Sequence, residues 1–61
     1  MKKFIKITEP DGNTYAINVE RIDHICMAET AIRIWTADGT KFTANAWNND
    51  LKAILKDLEL D

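Results

Sequence analysis

Apolar and polar residues alternate through most of the chain up to residue 44, and a helical period follows. Residues 2–8, KKFIKIT, predict a strand in which Ile5 and Ile7 alternate with Phe4, Lys6 and Thr8. Glu9-Pro10-Asp11-Gly12-Asn13 predicts a turn, because Pro10 presets φ and Gly12 and Asn13 tolerate positive φ. Residues 14–19 resume the alternation, with Tyr15, Ile17 and Val19 on one side. Glu20 to Asp23 is polar apart from Ile22 and predicts a short turn or a loose helical turn. Residues 24–29 predict a further strand, with Ile25 and Met27 facing one way and His24, Cys26 and Ala28 the other. Residues 31–37 place Ile32 and Ile34 opposite Ala31, Arg33 and Trp35. Asp38-Gly39 is a short hairpin signal, and residues 40–44 form the returning strand.

Trp47, Leu51, Ile54, Leu55 and Leu58 then follow one face of an α-helix, predicted over about 46–59. Asn45 is its expected N-cap, and Asp50 lies early enough to favour the helix dipole. Glu59 and Asp61 stand where a cation is preferred, so the last turn is expected to fray.

These elements predict one α+β domain over residues 1–61. It is a four- to five-stranded antiparallel β-meander with one C-terminal helix packed on one face. The expected core joins the helix stripe to Ile5, Ile7, Tyr15, Ile17, Val19, Ile25, Ile32, Ile34 and Phe42.

Composition sharpens this picture. The 61 residues are 46% hydrophobic and 30% charged, which excludes a disordered tail. No apolar run approaches the roughly 20 residues of a membrane span, and no signal-peptide pattern precedes the first strand. Cys26 is a solitary thiol, which excludes an intrachain disulfide framework and suggests a reducing, cytoplasmic setting. A core this small rarely supplies more than about 3–5 kcal/mol, so self-association is a natural further source of stability.

The helix-free sheet face carries Phe4, Lys6, Thr8, Thr14, Ala16, Asn18, His24, Cys26, Ala28, Ala31, Arg33, Trp35, Lys41 and Thr43. It mixes aromatics, small residues, hydroxyls and cations where a solvated face would be uniformly polar. The acids fall in turns, strand ends and the helical region, so this face is expected to hold no carboxylate although the net charge is -2. Two uses compete. An oligomer seam would pack two such sheets about 10 Å apart. A ligand face would stack bases on its aromatics and meet phosphates with Lys6, Arg33 and Lys41.

Other motifs add little chemistry. His24-x-Cys26 supplies two metal ligands where zinc takes about four, so no metal site is expected. As a nucleophile pair it lacks an evident oxyanion loop. Gly12 and Gly39 belong to turns and make no phosphate-cradling loop. Lys2, Lys3 and Lys6 suit a charged edge that discourages strand-to-strand aggregation. The Asn-rich stretch around Trp47 offers amide contacts to an anion, although core packing is the default role for Trp47 itself. A sequence pI of about 5.2 argues against duplex DNA.

The run FIKITEPDGNTYAINVERIDHI, followed by IRIWTADGTKF and a short amphipathic helix, resembles the small FlbD/SwrD-type flagellar-motility family. The matching residues are Gly12, Tyr15, Ile17, Asn18, Ile22, Ile25, Gly39 and Phe42. NAWNND replaces that family's acidic, Ser-containing turn, and Trp35 has no counterpart. The resemblance implies the fold and a partner-binding role, and it transfers no catalytic residue. In size and style the chain is also similar to small phage-encoded inhibitor proteins, some of which bind a partner protein or sequester a cyclic nucleotide.

The expected function is therefore that of a non-enzymatic, homo-oligomeric binding protein for an anionic, nucleotide-like ligand. Trp35 and Phe4 would stack, Arg33, Lys6 and Lys41 would neutralise charge, and Thr43 and Asn18 would orient. The alternative is a protein-interaction adaptor using the same face. No cofactor, duplex DNA or membrane is expected in either case.

Overall fold

The computed structural model describes residues 3–59. Its elements are β1 (Phe4–Thr8), β2 (Thr14–Asn18), a 3-10 turn (Val19–Arg21), β3 (Ile22–Met27), β4 (Ala31–Thr36), β5 (Lys41–Asn45) and α1 (Leu51–Asp57). The class is α+β, as the patterning predicts. The expected single meander is instead split into an antiparallel β1-β2 hairpin and an antiparallel β3-β4-β5 sheet. Residue 2 of the expected first strand and the tail residue Asp61 lie outside the described residues.

The β1-β2 and β4-β5 turns use one device. Gly12 N–H donates to Glu9 O at 2.8 Å, and Gly39 N–H donates to Thr36 O at 2.9 Å. The glycines sit at φ 91° and 89°, where a side chain would be strained. In each turn the preceding aspartate accepts a backbone N–H two residues on: Asp11 from Asn13 and Asp38 from Thr40. Asp38 itself keeps negative φ, so Asp38-Gly39 closes a longer loop than the two-residue type I′ hairpin it suggests.

The strand after the 3-10 turn begins at Ile22, two residues before the expected start. Ile22 pairs with Thr36 and His24 with Trp35, so Asp23 is an extra, bulged residue. The bulge lets Ile22 and Ile25, three apart, both pack against the core, a spacing that simple alternation hides. Met27, expected to face inward beside Ile25, is 58% exposed at the strand end.

The helix starts at Leu51 and not at 46, and its N-cap is Asp50 and not Asn45. Asn and Asp side chains compete for nearby backbone groups, and residues 45–50 hold four of them. Asn45 Oδ1 accepts from Asn48 N, Asn49 Nδ2 donates to Asn45 O, and Asp50 Oδ1 accepts from Ala53 N. Trp47 thus lies in a loop, 92% exposed, and does not head the apolar stripe. The helix ends at Asp57, and Glu59 adopts φ 60°.

Ile5, Ile7 and Ile17 from the hairpin meet Ile32, Ile34 and Ala44 from the sheet, and Ile54 of α1 completes the buried core. Tyr15, Val19, Ile25, Phe42, Leu51, Leu55 and Leu58 pack around it, half-buried. Tyr15 and Phe42 join the two halves through tilted rings 5.1 Å apart. The helix lies against β1. That placement leaves the outer face of β3-β4-β5 clear of the helix.

Candidate functional site

Cross-strand register builds the candidate site. Buried Ile32 and Ile34 turn Arg33 and Trp35 to the outer face of β4. Trp35 is paired with His24 on one side and Lys41 on the other. Arg33 is paired with Cys26 and Thr43. The result is two rows across the sheet, His24–Trp35–Lys41 and Cys26–Arg33–Thr43. Neighbours within a row stand about 5 Å apart, and the rows are separated by about 7 Å.

The rings of His24 and Trp35 stack, with centroids 4.5 Å apart and planes at 11°. One face of the indole is therefore occupied by the imidazole, and Lys41 is the cross-strand neighbour of Trp35 on the side away from His24. His24 Nδ1 is 2.7 Å from Asp23 Oδ2, with both side chains largely exposed. The bulge thus brings a carboxylate to the corner of a face expected to hold none. Neighbours in a regular strand point to opposite faces, so the adjacent letters D and H gave no such signal. Cys26 is a free, exposed thiol, while Arg33 and Lys41 are exposed cations.

The remaining residues expected in the ligand site sit elsewhere. Phe4 and Lys6 lie on the hairpin and line an open groove against α1, together with Asn48, Asp50, Ala53 and Asp57. Phe4 is 56% exposed there. Asn18 lines a separate shallow depression with Arg21, Thr36, Asp38 and Thr40. Its Oδ1 accepts from Glu20 N at 3.0 Å and so caps the 3-10 turn. The structure therefore brings together Trp35, Arg33, Lys41 and Thr43, and it separates Phe4, Lys6 and Asn18 from them.

The Asn-rich loop holds the fold together. Asn49 Oδ1 accepts from Thr8 N at 2.9 Å, and its Nδ2 donates to Thr8 O at 2.8 Å. Glu9 Oε2 accepts from Thr43 N at 3.0 Å, and Asn48 Nδ2 donates to Glu9 O at 3.3 Å. These bonds use up amide capacity that an anion would need.

Asp38, in the β4-β5 turn, is an acidified carboxylate. Its carboxyl is held down at about 2 by the Thr36 hydroxyl, the Thr40 N–H and the Thr40 hydroxyl, with a smaller contribution from Arg21. Because those bonds close the β4-β5 turn, the shift serves the hairpin. Among the described residues there is no cluster of three or more His, Cys, Asp or Glu that could hold a metal ion. No helix among them is long and apolar enough to cross a membrane. Comparison with known protein families, curated proteins and solved structures finds no match to this chain.

Proposed function

We propose that this chain is a non-enzymatic binding protein whose β3-β4-β5 face holds an anionic, nucleotide-like ligand. The observation that supports it is the pair of rows centred on Trp35 and Arg33, with Lys41 and Thr43 alongside. A base would stack on the indole face turned away from His24, and phosphate oxygens would meet Arg33 and Lys41. The surface is open, which suits a ligand that lies across strands more than one that is enclosed.

A Trp47→Phe variant leaves Trp35 as the single fluorescent indole and allows titration with mononucleotides and single-stranded oligonucleotides. Trp35 emission should be quenched to saturation. Arg33→Ala should weaken binding roughly 10- to 100-fold, the loss of one charge-assisted contact, with no change of mass in solution. An unresponsive indole at saturating ligand rejects the proposal. If Arg33→Ala converts an oligomer to monomers, the face is a seam between copies.

A second reading, a protein-interaction adaptor, draws support from Trp47. An indole 92% exposed at a loop tip matches the aromatic anchors that dominate protein interfaces.

A further inference from the structure

The two sheets leave edges, and the fold covers them unequally. Along β5 the outward Thr43 N–H is taken by Glu9, and along β1 both main-chain groups of Thr8 are taken by Asn49. The edge of β2 borders an open depression beside Arg21 and the β4-β5 turn, and its outward Ala16 main-chain groups have no hydrogen-bond partner among the described residues. The edge of β3 is likewise without the cover that Glu9 and Asn49 give β5 and β1. Ala28 N–H donates to Ala31 O at 2.8 Å, which makes Ala28 and Ala31 a hydrogen-bonded pair. Antiparallel alternation then turns the N–H and C=O groups of Ile25 and Met27 away from β4. Among the described residues, neither of these outward residues has a side-chain or loop partner.

The sequence along this edge lacks the usual safeguards. His24 to Ala28 contains no Lys, Arg, Asp, Glu or Pro, and Met27 is 58% exposed. The bulge that could twist the edge away sits at one end, at Asp23.

We infer that β3 is a self-pairing edge, and that a second copy of this chain adds its own β3 antiparallel across a two-fold axis at Cys26. In that register Ile25 of each copy faces Met27 of the other as a hydrogen-bonded pair. All four outward main-chain groups of each segment find partners. Each exposed Met27 side chain gains an apolar neighbour in Ile25. His24 lies opposite Ala28, and the carboxylates Asp23 and Glu29 that oppose each other one step further out bound the paired segment at residues 24–28. Cys26 faces its own copy as a non-hydrogen-bonded pair, with Cα atoms about 4.5 Å apart, inside the range a disulfide spans. The product is one six-stranded sheet on which the rows containing Trp35 and Arg33 occur twice. This inference goes beyond the proposed function, since the pairing involves no ligand.

Light scattering on the reduced full chain should give a dimer mass that falls on dilution. Diamide should link Cys26 to Cys26, with the two thiols losing two electrons and two protons to the diazene. Met27→Pro removes an outward N–H without touching the β4 ladder and should yield a monomer. Met27→Lys tests the same edge by charge, keeps every backbone group, and should also yield a monomer. A monomeric wild type at all concentrations overturns the inference. So does a dimer that persists in a folded Met27→Pro or Met27→Lys variant. A dimer lost on Arg33→Ala but retained in both Met27 variants assigns the contact to the sheet face and likewise overturns it.

Discussion

The side chain of Asn49 bonds to the main chain of Thr8 as a neighbouring strand would, accepting from its N–H and donating to its C=O. A third carboxamide bond, to Asn45 O, anchors the same side chain to the end of β5. One residue therefore links the hairpin to the three-stranded sheet where no backbone ladder does.

Asn49→Ala should destabilise the fold by about 2 kcal/mol, because part-buried main-chain groups lose their partners. For a domain of this size that lowers the melting temperature by on the order of 10 °C. Asn49→Asp should also destabilise, since a carboxylate would face the Thr8 carbonyl. Urea unfolding checks both, and a loss under about 0.5 kcal/mol for Asn49→Ala would show the link to be dispensable.

Gly39→Ala should cost roughly 1–2 kcal/mol through backbone strain alone. Its φ is 89°, and no atom stands within 4 Å of the added methyl. Gly12→Ala, at φ 91° in equally open space, should behave alike. Thermal melts of the two variants should shift by similar amounts. A wide disparity would mean that the two turns are not equivalent.

Asp38 gives a pH dependence with a defined sign. Its carboxyl lies at about 2 in the folded chain against an ordinary value of 3.8. A lowered carboxyl favours the folded state above the ordinary value. Its contribution fades as pH falls through about 2. Carbon-detected NMR titration should place the Asp38 midpoint there, and Thr36→Val should move it up toward 3.8 by removing the largest cause. An unmoved midpoint in Thr36→Val would show that the hydroxyl does not hold the charge.

The strand pattern was legible because Ile5, Ile7, Ile17, Ile32 and Ile34 alternate cleanly and all are buried. The split into two sheets was not legible. It depends on Asn49 and Glu9 standing in for ladder bonds across |i−j| separations of 41 and 34, which no local pattern records. The helix start was misplaced for a related reason. Trp47 fits the stripe spacing, but the Asn side chains around it bind backbone groups and hold residues 45–50 out of the helix.

At the candidate site, the placement of Trp35, Arg33, Lys41 and Thr43 on one face followed from strand alternation. The separation of Phe4, Lys6 and Asn18 followed from the sheet split. The His24–Trp35 stack was hidden by the bulge, which sets the cross-strand register between them.

Side-chain bonds at the β1–β5 boundary have a mechanical consequence. Parting the hairpin from the sheet breaks the Asn49, Asn48 and Glu9 links and pulls apart the isoleucine layer, yet it leaves both ladders whole. The molecule is built like a clasp: two hydrogen-bonded leaves held shut by side chains, with the 3-10 turn as the stretch of chain that links them.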